Sequence, residues 1–145
     1  MSLLGFDAAL VDLDGTLVDT IGDFEVALAR TLADLGLAPV GRAFIERTVG
    51  QGSEHLIRST LAEAGGTPAQ YDTAWALYQQ HYQAINGQAS AVYPGVIEGL
   101  NRLQAHGLRL ACLTNKPRAF AVQLLAAKGL AGFFAQAGGD LYVAG

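Results

Sequence analysis

Two short apolar segments, each followed by a helical pattern, limit the folds open to this 145-residue chain. Residues 6–12 and 108–113 are predicted to be buried strands, and residues 133–137 a third. Strands that alternate with helices favour an α/β fold with a parallel sheet and right-handed crossovers. Ligands of such sheets bind beyond the carboxyl ends of the strands, so reactive side chains are expected there.

The long stretch between the first two strands is helical throughout. Thr20 and Asp23 form a capping-box pattern at its start, and Thr67-Pro68-Ala69-Gln70 begins another helix. An aromatic stripe at helical spacing is predicted to be core, and its members are Tyr71, Trp75, Tyr78, Tyr82 and Ile85. We therefore predict a core domain of residues 1–18 and 88–145 and an all-helical domain of residues 19–87.

Composition excludes several classes of protein. Apolar residues make up 51% of the chain and charged residues 15%, as in a compact soluble domain. The net charge is −4 and the nine basic residues are scattered, so nucleic acid is not an expected partner. No segment has the roughly 18 apolar residues of a membrane span, and a cytoplasmic protein is expected. The single Cys112 lies in an apolar run and is predicted to be a buried structural thiol.

The first reactive segment, Asp12-Leu13-Asp14-Gly15-Thr16, directly follows the first strand. Two carboxylates two positions apart can supply a nucleophile, an acid/base and a cation ligand. Asp-Gly between apolar runs is also typical of a hairpin turn. The helical stretch that follows disfavours the hairpin, because no return strand comes next.

The second reactive segment is Thr114-Asn115-Lys116-Pro117, at the end of the second strand. The free amides and positive dipole end of the following helix suit a phosphate. Taken alone, such residues are also common in loops that cap the start of a helix and have no catalytic role. Lys116 has two interpretations, one as a residue near the substrate and the other as a solvated lysine.

Together the two segments resemble motifs one and two of the haloacid dehalogenase-like (HAD) phosphohydrolases, in their phosphoglycolate phosphatase-like version. The resemblance implies a Rossmann-like parallel sheet, incomplete here, with an inserted all-α cap of the C1 type. It implies that Asp12 attacks phosphorus and that Asp14 is the general acid/base. It also implies Mg²⁺ on the Asp12 carboxylate and the Asp14 carbonyl. The implied phosphate or substrate contacts are Gly15, Thr16, Thr114, Asn115 and Lys116, with Thr16 expected mainly to brace the turn.

The resemblance further implies a Mg²⁺-dependent phosphatase acting on a small phosphorylated metabolite, with 2-phosphoglycolate the leading substrate. The alternatives are a pyrophosphatase, a sugar-phosphate mutase or a catalytically incompetent fragment. In the helical insertion, Arg47 and residues 50–53 are substrate-facing candidates. The three histidines lack metal-ligand spacing.

The chain departs from the family pattern after the third predicted strand. The third-motif lysine has no counterpart. Gly139-Asp140 does not begin the acidic fourth motif, because that motif requires an aspartate at position 144, where this chain has Ala144. Gly139-Asp140 is interpreted instead as the end of strand three. We therefore expect a chain cut to the first two-thirds of such an enzyme, with weak Mg²⁺ binding and little activity. We also expect self-association through the exposed edge of residues 6–12.

Overall fold

A computed structural model describes residues 5–135 and 140–143 of the chain. In chain order, the elements are β1 (Ala8–Val11), β2 (Val18–Asp19), α1 (Ile21–Asp34), α2 (Arg42–Thr48), α3 (Ser53–Glu63), α4 (Tyr71–Ile85), β3 (Ala91–Val92), α5 (Val96–Ala105), β4 (Arg109–Thr114), α6 (Arg118–Ala127), α7 (Ala131–Ala135) and β5 (Asp140–Val143). They form two compact units, Met1–Asp19 with Ala91–Gly145, and Thr20–Ser90.

The first unit contains a parallel sheet with the strand order β1-β4-β5. The register places Val11 opposite Cys112, so the loops that follow β1 and β4 leave the same edge of the sheet. This confirms the predicted α/β fold. The first two predicted strands are confirmed in position, each within a few residues. The predicted burial is confirmed for β4 but is wrong for β1, whose residues are exposed or half-buried.

The core of the first unit lies on one face of this sheet. Leu110 and Cys112 of β4 are buried there, with exposed fractions of 1% and 0%. Side chains of α5, α6 and the following turn pack against them, chiefly Leu100, Ala121, Leu124, Leu125 and Leu130. The alternation of side chains along a strand leaves Leu10 of β1 on the opposite face, where it is 65% exposed.

The third predicted strand is wrong in position. Residues 133–135 end helix α7, and residues 136–137 lie outside the described part of the chain. Phe134 is buried in the core from that helix. The observed strand begins at Asp140, so this residue starts a strand rather than ending one. A short apolar run does not by itself distinguish a strand from a buried helix.

A two-stranded ribbon, β2 with β3, was not anticipated from the sequence. Val18 pairs with Val92 and Asp19 with Ala91, in antiparallel register. The strand that follows the Asp-Gly sequence, β2, is therefore not part of a local hairpin, since its partner comes about 70 residues later.

The second unit consists of α1 to α4, with α4 preceded by a 3₁₀ turn at Pro68–Gln70. The Thr67 N–H donates to Gln70 Oε1 at 2.8 Å, as the predicted helix start requires. The predicted capping box at Thr20 is wrong, because the Thr20 side chain makes no capping hydrogen bond.

The aromatic stripe of α4 is only partly core. Tyr78 and Tyr82 are each 1% exposed, and the ring centroid of Tyr82 lies 5.4 Å from that of Phe24 in α1. Tyr71, Trp75 and Ile85 are half-buried. Across the described residues, no helix has the length and apolar character needed to cross a membrane.

Candidate active site

The candidate site is formed by two loops of the first unit, one after β1 and one after β4. Because β1 and β4 are parallel neighbours, both loops leave the carboxyl edge of the sheet. Asp12 and Asp14 lie in the first loop, and Thr114 ends β4 directly before the second. The structure thus brings together the two segments that the sequence separates by about 100 residues.

The loop after β1 is anchored by leucines that alternate with its polar residues. Leu13 and Leu17 are 0% and 3% exposed, and the Leu17 N–H donates to the Leu13 carbonyl at 3.0 Å. Gly15 has a φ of +78°, a conformation that side-chain-bearing residues rarely adopt. Its N–H donates to the Val18 carbonyl at 2.9 Å. In this structure the Gly15 amide therefore stabilises the turn.

Asp12 is exposed at the mouth of this loop. Its Oδ2 accepts a hydrogen bond from Thr16 Oγ1 at 3.2 Å. This contact orients the carboxylate and is the bracing role expected of Thr16. Because the Asp12 carboxylate is exposed and oriented, it is accessible to an electrophilic atom of a ligand that enters from solvent.

The loop after β4 is fixed through a threonine hydroxyl. Thr114 is 3% exposed, and its Oγ1 accepts a hydrogen bond from the Lys116 N–H at 3.0 Å. Pro117 then precedes α6, and its carbonyl accepts from the Ala121 N–H. Asn115, between the two fixed positions, is exposed.

An ion pair joins the two loops. Lys116 Nζ lies 2.9 Å from Asp14 Oδ1, and the two side chains are 2% and 12% exposed. The interpretation of Lys116 as a solvated lysine is therefore wrong. Its partner could not be read from the sequence, because 102 residues separate the pair.

Cys112 lies beneath the site as an inert thiol. It is fully buried in β4. Burial raises its pKa to about 12, and the nearby carboxylates of Asp12 and Asp14 act in the same direction. The predicted structural role is confirmed.

The oxygens of this site suit a hard cation only in part. One carboxylate and backbone carbonyls are ligand types that Mg²⁺ accepts, usually with several waters and a substrate phosphate. Within residues 5–135 and 140–143, no group of three or more acidic, histidine or cysteine side chains is placed to hold a metal. These residues could therefore hold Mg²⁺ only together with ligands from a substrate phosphate and water.

The remaining sequence candidates lie in the second unit. The Arg47 guanidinium lies over the Phe44 ring at 5.2 Å, and Gly50 and Gly52 have φ values of +121° and +92°. His81 Nε2 contacts Asp34 Oδ2 at 2.6 Å, a pairing between helices α4 and α1 rather than a metal site.

Known proteins resemble this chain in sequence and in fold. A family model for haloacid dehalogenase-like hydrolases matches residues 6–143. A phosphoglycolate phosphatase of Cupriavidus necator is 46% identical over 124 residues, covering 85% of this chain and 54% of that protein. A phosphoglycolate phosphatase of Nitrosospira multiformis is 39% identical over 145 residues, covering 98% of this chain and 62% of its own length.

A solved structure shows the same fold. A protein from Haemophilus somnus, described as a predicted phosphoglycolate phosphatase, superposes with a TM-score of 0.87 at 26% identity. The match covers 95% of this chain and 62% of that one. The chain spans between half and two-thirds of the length of these relatives. With the site geometry and a family match over residues 6–143, the chain belongs to the haloacid dehalogenase-like hydrolases.

Proposed function

We propose that this chain carries the nucleophile and the general acid/base of a phosphatase for a small phosphomonoester. The observation that supports this most is the 2.9 Å ion pair between Lys116 and Asp14. It ties together the loops that hold Asp12, Asp14 and Thr114 at one edge of the sheet. Loops at the carboxyl ends of parallel strands are where α/β proteins bind phosphorylated ligands.

The proposed reaction has two displacements at phosphorus. In the resting protein Asp14 is the carboxylate of the ion pair, and it takes up a proton from solvent when the substrate binds. An Asp12 oxygen then attacks phosphorus while the bond to the leaving oxygen breaks, and Asp14 gives that oxygen its proton. Water then attacks the aspartyl phosphate and gives a proton to Asp14. The bond between Asp12 and phosphorus breaks, which releases inorganic phosphate, restores the Asp12 carboxylate and leaves Asp14 protonated, as it was before the first displacement.

The phosphoryl oxygens are proposed to lie against the Thr114 hydroxyl and the Asn115 amide, near the start of α6. Thr16 contributes by orienting Asp12, and Gly15 by allowing the tight turn that follows Asp14 in the same loop. Mg²⁺, when bound by the Asp12 carboxylate and the Asp14 carbonyl, would neutralise charge between nucleophile and phosphate. Lys116 adds positive charge at the same edge of the sheet.

The proposed substrate is 2-phosphoglycolate, on the strength of the relatives that carry this activity in their names. A pyrophosphatase or a sugar-phosphate mutase is the alternative, since both act on small phosphorylated substrates. The helical unit is proposed to be a cap that selects the substrate, with Arg47 and residues 50–53 as its contact candidates.

The test is turnover of 2-phosphoglycolate, pyrophosphate and glucose 1-phosphate by the purified chain, with and without Mg²⁺. We expect slow turnover and weak Mg²⁺ binding, because the described residues hold no cluster of three or more acidic, histidine or cysteine side chains for the metal. Asp12→Asn should abolish that turnover, because it removes the attacking oxygen while keeping the side chain's shape. Asp7→Asn is the matched control, since Asp7 is an exposed carboxylate just before β1.

Two results would contradict the proposal. One is near-normal turnover in Asp12→Asn, which would exclude this nucleophile. The other is a wild-type chain that neither hydrolyses these substrates nor binds inorganic phosphate, which would favour the incompetent fragment.

A further inference from the structure

We propose that Lys116 is a positioning residue for Asp14 rather than a ligand of the substrate phosphate. This inference rests on the proposed function, because it assigns a role within the same site. It replaces the phosphate or substrate contact that the sequence suggested for this lysine.

The first argument is the burial of the lysine side chain. At 2% exposure its ammonium group has lost most contact with water, which is costly unless a counter-charge is near. Asp14 Oδ1 supplies that charge at 2.9 Å and is itself only 12% exposed. Separating the pair would leave two poorly hydrated charges, so the resting structure favours keeping it closed.

The second argument is that Lys116 is held at both ends. Its backbone N–H donates to Thr114 Oγ1 at 3.0 Å, directly at the end of β4. Its ammonium group holds Asp14, which precedes Gly15 in a tight turn. The position of the Asp14 carboxylate is thereby fixed against β4 as well as by its own loop. Proton transfer requires such fixed placement relative to the leaving oxygen.

The kinetic test compares Lys116→Met with the wild-type chain. Methionine keeps an unbranched apolar stem and removes the charge. A positioning role predicts that kcat for 2-phosphoglycolate falls by about 10- to 100-fold. It predicts a KM within about threefold of wild type, because no binding contact is lost. The chain has one other lysine, so Lys128→Met is the matched control and should behave as wild type.

The leaving group separates positioning from general structural damage. The alkoxide of 2-phosphoglycolate needs a proton from Asp14, whereas p-nitrophenolate leaves readily without one. In a single-turnover measurement of the first displacement, Lys116→Met should therefore lose at least about fivefold more rate on 2-phosphoglycolate than on p-nitrophenyl phosphate. Lys116→Arg should recover part of the loss, and Lys116→Met should add little to Asp14→Asn.

A measurement without turnover tests the pair itself. With ¹⁵N-labelled lysine, the paired Lys116 ammonium should give a slowly exchanging signal that Asp14→Asn removes and Lys128→Met leaves in place. Inorganic phosphate should bind Lys116→Met within about threefold of its wild-type affinity.

Three results would overturn the inference. They are a tenfold rise in KM with unchanged kcat, a tenfold loss of phosphate affinity, or equal losses on the two substrates. If the wild-type chain neither turns over substrate nor binds phosphate, the proposed function fails, and the inference fails with it. If the wild type is active and only these Lys116 results go the other way, the inference alone fails.

Discussion

The Asp23 carboxylate accepts a hydrogen bond from the backbone N–H of Gly87 at 2.9 Å, although the two residues are 64 positions apart. Its other oxygen accepts from the Ala89 N–H at 2.7 Å. Asp23 is fully buried near the start of α1, while the two amides lie just after α4. One carboxylate therefore holds together the two ends of the helical unit.

Asp23→Ala should destabilise the protein by about 2–4 kcal/mol, because it leaves two backbone donors without their charged acceptor. Urea unfolding followed by circular dichroism measures this loss. Glu63→Ala is the control, since Glu63 is exposed at the end of α3, and its effect should stay within about 0.5 kcal/mol. Equal stability of the Asp23 and Glu63 variants would show that the contact is dispensable.

Gly22 permits the close approach of α1 to the segment around Ala89 that follows α4. A β-carbon at this position would lie 2.0 Å from the Ala89 carbonyl oxygen, which is backbone and cannot rotate away. Gly22→Ala should therefore destabilise the protein by about 1–3 kcal/mol.

The control for Gly22 is Gly99, another helical glycine, around which a β-carbon would meet nothing within 4 Å. Gly99→Ala should raise stability by about 0.5–1 kcal/mol through helix propensity. The two variants should thus shift the melting temperature in opposite directions. A stabilising Gly22→Ala would contradict the close approach.

The sequence predicted those parts of the fold that depend on local pattern. The strands at Ala8–Val11 and Arg109–Thr114 carry continuous apolar runs, and α1 carries helical spacing. The third strand was misplaced because the apolar pair Phe133 and Phe134 suits a buried helix as well as a strand. The pairing of β2 with β3 could not be predicted, because strands of two residues show no periodicity.

Contacts between residues that are distant in sequence also explain what could not be predicted at the site. The Asp12 and Thr114 segments could be predicted to meet, because both follow strands of one parallel sheet. The depth of the Lys116 side chain could not, since burial of a lysine depends on a partner distant in sequence. Asp23 was interpreted as part of a capping box for the same reason, and its true partners lie 64 and 66 residues away.

Cys112 should make stability depend on alkaline pH. Its pKa in the folded protein is about 12, against an ordinary value of 9.0, so the unfolded chain releases the thiol proton first as pH rises. The stabilisation is complete below about pH 9 and is lost as the pH approaches 12. Above pH 9, wild type should lose up to about 1.4 kcal/mol per pH unit relative to Cys112→Ala.

The measurement is the difference in unfolding free energy between wild type and Cys112→Ala across that range. The alanine variant supplies its own control, because its packing loss is constant with pH. In the native state at neutral pH, the thiol should also resist a disulfide reagent that modifies it in urea. A pH-independent difference, with rapid modification of the native protein, would contradict a buried neutral thiol.

The exposed side of β1 should make the purified chain self-associate. Among the described strands, β1 pairs with β4 on one side and lies at the edge of the sheet. Phe6 and Leu10 point apolar side chains toward solvent there, with exposed fractions of 61% and 65%. An edge strand with unpaired backbone groups and apolar neighbours is a template for pairing with another chain.

Light scattering should therefore find dimers or larger species whose population rises with protein concentration. Leu10→Lys should shift this population toward monomer, because a charged side chain on an edge strand opposes strand pairing. Ile97→Lys is the matched control, since Ile97 is 48% exposed on helix α5 rather than on the strand, and this variant should associate like wild type. Hydrogen exchange should identify β1 as the contact region. Its amides should become protected as association proceeds and should lose that protection in Leu10→Lys. A wild-type chain that stays monomeric, with β1 amides equally protected at all concentrations, would exclude association through this edge.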